Sequence, residues 1–237
     1  MLGALWHRGP DGYGQINCGD ATLGATRLAI VDPAAGAQPM AGAGRFVVYN
    51  GEIYNHAALR AELEALGHVF RTRSDTEIVP AAHAQWGPNA ALRFDGMFAY
   101  AIHDPATGEL LLVRDRFGIK PLYWQSMPDG GLAFASEPKA LLALDGGRGR
   151  PDYLGLASIF AHGAAFPAGC EAGERTCFEG VQAVPAATVV RFRNGTMVSH
   201  RYWSFADARR TPFTNPGEAR EALEAAFVSS VRACRQG

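Results

Sequence analysis

The sequence is short of lysine, of cysteine and of net charge, and each shortage excludes something. Its 237 residues carry 22 basic and 23 acidic side chains, a formal charge of −1 and a pI near 6.7. With so little long-range pull, nucleic acid or an anionic membrane would need a local basic patch, and the arginines are scattered. No apolar run approaches the roughly 20 residues that span a bilayer. The stretch Met1–Arg8 meets charge before the core of a signal peptide could form, so the expected location is the cytoplasm. Cys18, Cys170, Cys177 and Cys234 are too few for a disulfide scaffold. Cys170 and Cys177 share a Gly/Glu loop with no His or second Cys pair beside it, so no metal is expected there. Lysine occurs only as Lys120 and Lys139. A compact ammonium and a planar guanidinium are not interchangeable, which makes both positions candidates for a role arginine cannot fill.

What the chain does have is apolar surface: 48% hydrophobic residues and a mean hydropathy of −0.06. That excludes disorder and allows one large domain, or one domain with part of a second. Short β-type runs dominate. Ala21–Asp32 reads as a strand, and Arg45–Tyr49 as another ending at Asn50-Gly51. Asn55 is a natural N-cap for a helix with Leu59, Leu63 and Leu66 on one face, closed by Gly67. A second helix opens at Ser74 or Asp75 and runs to Trp86, with Pro80 expected to kink or shorten it. Met97–His103, Glu109–Val113, Pro121–Trp124 and Leu132–Ala135 form an antiparallel meander. Asn194-Gly195 between Thr188–Arg193 and Thr196–Trp203 is a strong hairpin signal. Asn215-Pro216 caps a helix from about Gly217 to Arg235, which follows a Pro-rich linker and reads as the start of a second unit. The fold class is α+β.

Four polar stretches sit beside strand ends, where a rigid scaffold can aim side chains at a ligand. They are His7–Gly12, Arg27–Asp32, Asn50–Asn55 and Ser74–Glu77. At Asn50-Gly51 a side-chain amide and an unobstructed backbone N–H could share one anionic oxygen, as in an oxyanion hole, or the pair could simply be a tight turn. Arg27 offers a fork for a carboxylate and Asp75 an acceptor for an ammonium, which together would hold an amino acid by both ends. Singly, Arg27 fits a surface ion pair and Asp75 an N-cap. Arg114–Tyr123 reads as a solvated charged run entering a strand.

Taken in order, His-Arg-Gly-Pro-Asp-Gly at 7–12, Arg-Leu-Ala-Ile-Val-Asp at 27–32, Asn-Gly-Glu-Ile-Tyr-Asn at 50–55, Ser-Asp-Thr-Glu at 74–77, Gly96–Ala99, Arg114–Tyr123 and Ala135–Ala140 resemble the glutaminase domain of asparagine synthetases, class II glutamine amidotransferases. The resemblance runs from about Leu2 to Trp203, dense to Leu142 and thin after it. His-Arg-Gly-Pro-Asp is closer to that branch than to the glucosamine-6-phosphate or phosphoribosylamine branches. It implies an N-terminal-nucleophile hydrolase fold, two antiparallel sheets between helices. By likeness, Arg27 would bind the glutamine α-carboxylate, and Asp75 with Glu52 its α-amino group. Leu28, Ile30 and Val31 would line the pocket, and Asn50 with Gly51 would form the oxyanion hole. The family's nucleophile is an N-terminal cysteine whose own amino group acts as base, giving a glutamyl thioester and ammonia. The ammonia serves a second domain that activates aspartate with ATP and magnesium.

The chain departs from this pattern at both ends. Leu2 stands where the family has cysteine, and the opening strand with most of the first helix is expected to be absent. Cys18 lacks a free α-amino group and is expected to lie away from Arg27, Asn50 and Asp75. The expected organisation is an incomplete amidotransferase domain over 1–205, then a linker and the first helix of an ATP-dependent synthetase domain over 206–237. No cofactor is expected in this chain, ATP and Mg2+ belonging to the other domain. The expected partners are glutamine, that synthetase domain and a second copy in a homodimer, with Lys120 and Lys139 near the surface facing the synthetase domain. Two readings follow: a piece of a glutamine-dependent synthetase, inactive on its own, or a non-catalytic glutamine-binding or structural module. An acceptor other than aspartate is a further alternative.

Overall fold

Side chains that point alternately to the two faces of each strand build the layers of this structure. The computed structural model describes residues 1–28, 36–162, 174–208, 212–213 and 215–235. A 3-10 helix, Leu2–Arg8, leads into a hairpin of β1, Gly12–Cys18, and β2, Ala21–Arg27. Next come β3, Met40–Gly42, and β4, Arg45–Ile53, then α1, His56–Ala65, and α2, Ile78–Trp86. β5, Gly96–Asp104, and β6, Glu109–Arg114, form a hairpin, as do β7, Tyr123–Ser126, and β8, Leu132–Ala135. Two helices follow, α3, Pro138–Leu142, and α4, Tyr153–His162. The last strands and α-helix among the described residues are β9, Gln182–Ala183, β10, Thr188–Arg193, β11, Thr196–Arg201, and α5, Pro216–Cys234.

The strands form an antiparallel six-stranded sheet in the order β11-β10-β6-β5-β4-β3 and two small sheets, β1-β2 and β8-β7-β9. Alternation assigns the faces of the large sheet. Val47, Tyr49, Phe98, Tyr100, Ile102, Leu111 and Val113 join Leu59 and Leu63 of α1 and Ile78, Val79 and Ala82 of α2 in one core. Val48, Ala99, Ala101, Leu110, Leu112 and Val190 join Leu23, Leu122 and Trp124 in another, so both small sheets cover the opposite face. A third cluster packs Ala140 and Leu141 of α3 with Ala135 and Val181, beside Leu5 of the opening helix. Helix, sheet, sheet, helix is the expected sandwich, with its second β layer in two pieces. Each fully buried Leu or Phe contributes about 1.5–3 kcal/mol through apolar area removed from water.

Several elements differ from their sequence signals. β4 does not end at Asn50-Gly51 but stays paired with β5 to Ile53↔Gly96, so the Asn-Gly pair is mid-strand, its turn preference overridden by the neighbouring strand. β2 stops at Arg27, and of the rest of the expected strand only Leu28 is described, 29–32 lying outside the described residues. Ser74 caps a 3-10 turn, Asp75–Glu77, its Oγ accepting from Thr76 N–H, before α2 begins. Pro80 is then the third residue of α2, where an N–H has no intrahelical acceptor to lose, so it neither kinks nor shortens the helix. Asn55 does not cap α1: its amide donates to Arg93 O and its oxygen accepts from Asp95 N–H. Leu59 and Leu63 are buried as expected, whereas Leu66 is exposed. At the β10–β11 hairpin Asn194 and Gly195 take φ of +50° and +71°, the left-handed pair a tight hairpin needs. Asn215 does cap α5, its Oδ1 accepting from Glu218 N–H, and α5 buries none of its residues. Among the described residues no helix is long and apolar enough to cross a membrane.

Candidate active site

A cavity of about 1090 Å3 lies between the large sheet and the second layer. β5 makes the room for it. Its large residues, Phe98 and Tyr100, belong to the helix-side core, and Ala99 and Ala101 belong to the other side, where with Val48 they line the cavity. The walls include Thr22, Gly24, Ala25, Thr26 and Arg27 of β2 and all four residues of β8. Among the described strands β2 pairs only with β1 and β8 only with β7, so two free strand edges belong to one cavity. Leu2, Leu5 and Arg8 of the opening 3-10 helix also line it. That helix is pinned by Glu137, which takes His7 Nε2 at 2.9 Å, Arg8 Nη1 at 3.0 Å and Lys139 Nζ at 3.1 Å. Burial alone would raise the Glu137 carboxyl, but hydrogen bonds from Arg8, His7 and Lys139 outweigh it and bring it down to about 2.

The polar end of the cavity is built on β4. Asn50 and Glu52 share the parity of Val48, as the cavity lining requires. Asn50 Nδ2 is buried and has no hydrogen-bond partner among the described residues. Gly51 has φ of +154°, and a Cβ there would stand 2.1 Å from Met97 O, so only glycine lets β5 approach so closely. Opposite β4, Ser74, Asp75 and Thr76 line the cavity from the 3-10 turn, all three buried. Asp75 Oδ2 accepts from Tyr49 O–H at 2.7 Å and from Ile53 N–H at 3.0 Å. Burial first, then the charge and hydrogen bond of Asp75, push the Tyr49 phenol well above its usual range, so it remains a donor. The turn is held from behind by Glu77, whose carboxylate takes Arg71 N–H, Thr72 N–H and the Thr72 hydroxyl, each at 2.8 Å.

Arg114 and Asp115 are no solvated run. Asp115 is fully buried and accepts four backbone N–H groups, from Phe98, Phe117, Ile119 and Lys120, at 3.0–3.2 Å. Arg114 donates to the carbonyls of Gly118, Lys120 and Val184 at 2.7–2.8 Å. Burial lowers its guanidinium from the usual value, with the charges of Tyr123 and Asp115 opposing. Together they fix the loop that brings Lys120 to the cavity while leaving Phe117 and Ile119 exposed. The other lysine, Lys139, is outside the cavity lining, beside His7 and Glu137.

Of the residues singled out from sequence, Arg27, Leu28, Asn50, Gly51, Glu52 and Asp75 all line this one cavity. Ile30 and Val31 lie outside the described residues, as does Cys170. Cys18 ends β1 opposite Ala21, whereas Arg27 pairs with Gly12 at the other end of the hairpin, about 20 Å away at roughly 3.3 Å per residue. Its thiol donates to Ala21 O and is pushed up by burial and then by Asp20. Sequence reasoning missed Tyr49, the hydroxyl partner of Asp75, and Gln38, whose Oε1 accepts Tyr49 N–H at 2.6 Å. The cavity thus presents a guanidinium, a buried carboxylate and an unpaired amide donor, a set suited to an amino acid bearing a polarisable carbonyl.

Comparison with known proteins agrees with this arrangement. The family described as glutamine amidotransferase domain matches residues 1–203. Asparagine synthetase [glutamine-hydrolyzing] 3 of Bacillus subtilis (strain 168) is 34% identical over 215 residues, 89% of this chain and 34% of that protein. Asparagine synthetase B [glutamine-hydrolyzing] of Escherichia coli (strain K12) is 35% identical over 222 residues, 92% of this chain and 34% of that protein. The chain therefore spans about a third of the length of these curated relatives. Among solved structures, the glutamine phosphoribosylpyrophosphate amidotransferase of B. subtilis, complexed with ADP and GMP, superposes with a TM-score of 0.54. That match covers 77% of this chain and 35% of the other at 20% identity, a likeness of fold. Sandwich, cavity and sequence likeness converge, and the chain belongs to the glutamine amidotransferase domain family.

Proposed function

We propose that the cavity binds L-glutamine and that the chain is the glutamine-hydrolysing module of a cytoplasmic, glutamine-dependent asparagine synthetase. The observation that carries this reading is Asn50 Nδ2, a buried donor without a partner among the described residues, on the cavity-facing side of β4. Leaving such a donor unpaired costs about 1–3 kcal/mol, a cost that makes sense where a charge develops during reaction. In this reading Arg27 takes the α-carboxylate, Asp75 and Glu52 the α-ammonium, and Asn50 with Gly51 N–H the oxyanion formed when a thiolate attacks the side-chain amide. Leu28, Ile30 and Val31 complete the pocket. The thiol would enter from the open side, between the free edges of β2 and β8. Ammonia would then pass to a synthetase domain that begins with α5 and uses ATP and Mg2+ to activate aspartate. The exposed apolar residues of α5, Leu223, Phe227 and Val231, suit it to begin that domain.

A second reading, glutamine binding without hydrolysis, is favoured by the cysteines: among the described residues none lines the cavity. Calorimetric titration with L-glutamine, paired with an ammonia-release assay, separates the readings. We expect saturable binding that Asp75→Asn weakens strongly, and ammonia only from a polypeptide that brings a thiol to the cavity. Glutamine binding unaffected by Asp75→Asn, or none by the folded chain, overturns the proposal.

A further inference from the structure

We propose that Tyr49 is a positioning residue that orients the Asp75 carboxylate toward the α-ammonium group of the bound amino acid; this rests on the glutamine reading above. Asp75 sits in a single 3-10 turn, which by itself leaves its carboxylate free to rotate. Two donors of β4 remove that freedom: the Tyr49 hydroxyl at 2.7 Å and Ile53 N–H at 3.0 Å, both on Oδ2. Asn50 lies on the same strand between them. The group proposed to meet the ligand's ammonium and the group proposed to meet its side-chain amide are thereby referenced to one rigid strand. Tyr49 is itself fixed twice, its N–H to Gln38 Oε1 at 2.6 Å and its ring within the helix-side core. With both donors on Oδ2, Oδ1 is the oxygen this arrangement leaves for a cation. Preorganisation of this kind contributes affinity by removing the cost of ordering the side chain on binding.

A tyrosine that merely satisfies its own hydroxyl would look similar, so the test must read the path through Asp75. The probes are L-glutamine and 4-carbamoylbutanoate, which is glutamine without its α-amino group, titrated calorimetrically into the chain and its variants. Tyr49→Phe is expected to weaken L-glutamine about tenfold, the size of one hydrogen bond to a charged group, and to leave 4-carbamoylbutanoate within twofold. Asp75→Asn is expected to erase the preference for glutamine over the analogue, and adding Tyr49→Phe to it to change nothing further. Equal weakening of both ligands by Tyr49→Phe marks a purely structural role and overturns the proposal, as does unchanged glutamine affinity. Should Tyr49→Phe alone not fold because it leaves the buried Asp75 carboxylate short of a donor, the double variant, in which Asp75→Asn removes that charge, decides: any further loss of glutamine relative to the analogue beyond Asp75→Asn overturns the proposal. If Asp75→Asn leaves glutamine binding intact, the glutamine reading fails first and this inference falls with it, a result distinct from the others.

Discussion

His83 of α2 and Tyr100 of β5 meet edge-on in the helix-side core, Nε2 to phenol oxygen 2.8 Å, ring centroids 5.6 Å apart and planes at 76°. Burial, with a smaller push from Arg45, lowers the imidazole to about 3. The native state therefore keeps His83 neutral where the unfolded chain, with a pKa near 6.5, takes up a proton. Its contribution is fully present above about pH 6.5 and is lost as pH falls toward 3, up to roughly 4–5 kcal/mol. Urea unfolding between pH 7 and 4 should show stability falling with pH, and His83→Gln should flatten that slope. An unchanged slope in the variant would show that other groups set the acid limb.

Asp115 should be the most costly carboxylate to alter. Asp115→Ala strips one acceptor from each of four backbone N–H groups, and about 3–5 kcal/mol of stability should go with it. Hydrogen exchange offers the specific check: the amides of Phe117, Ile119 and Lys120 should lose protection well before those of β5.

Gly51→Ala should destabilise by about 3 kcal/mol or more, because the added methyl meets Met97 O and Phe98 Cα in a strand that cannot retreat. Gly44, with φ of +76° but open space around it, is the control: alanine there should cost only about 1 kcal/mol. Thermal melts of the two variants should differ accordingly, and similar melts would argue against close packing at Gly51.

Asn50→Leu should separate binding from stability. It removes a buried donor that has no partner among the described residues, so the variant should melt at or above the wild-type temperature, by up to a few degrees, while glutamine affinity falls at least tenfold. A variant that both melts lower and still binds would contradict the role given to Asn50.

The legible part of this protein was the part written in local patterns. Short apolar runs bounded by turn residues expose β5 and β6, and Asn194-Gly195 marks its hairpin because both residues tolerate positive φ. Arg27, Asn50 and Asp75 are visible as motif residues although they come from a strand end, a strand middle and a 3-10 turn. Tyr49 is hidden, because its partner is 26 residues away and nothing local distinguishes this tyrosine from a core aromatic. Asp115 is hidden for another reason. Its donors are backbone N–H groups, which every sequence supplies, so a charged run and a buried anchor look alike. Asn50-Gly51 misleads because turn preference is a property of the pair and strand continuation a property of its neighbour.

The two-piece second layer also bears on how the molecule opens. Sheets of two and three strands are near the lower limit of independent stability, whereas the six-stranded sheet is braced on both faces. Partial unfolding should therefore begin with the small sheets that wall the cavity, leaving the large sheet and α1 and α2 intact. A ligand that needs Arg27 from one layer and Asn50 from the other recognises only the closed form, so its binding would suppress that opening and slow proteolysis of the β1–β2 hairpin.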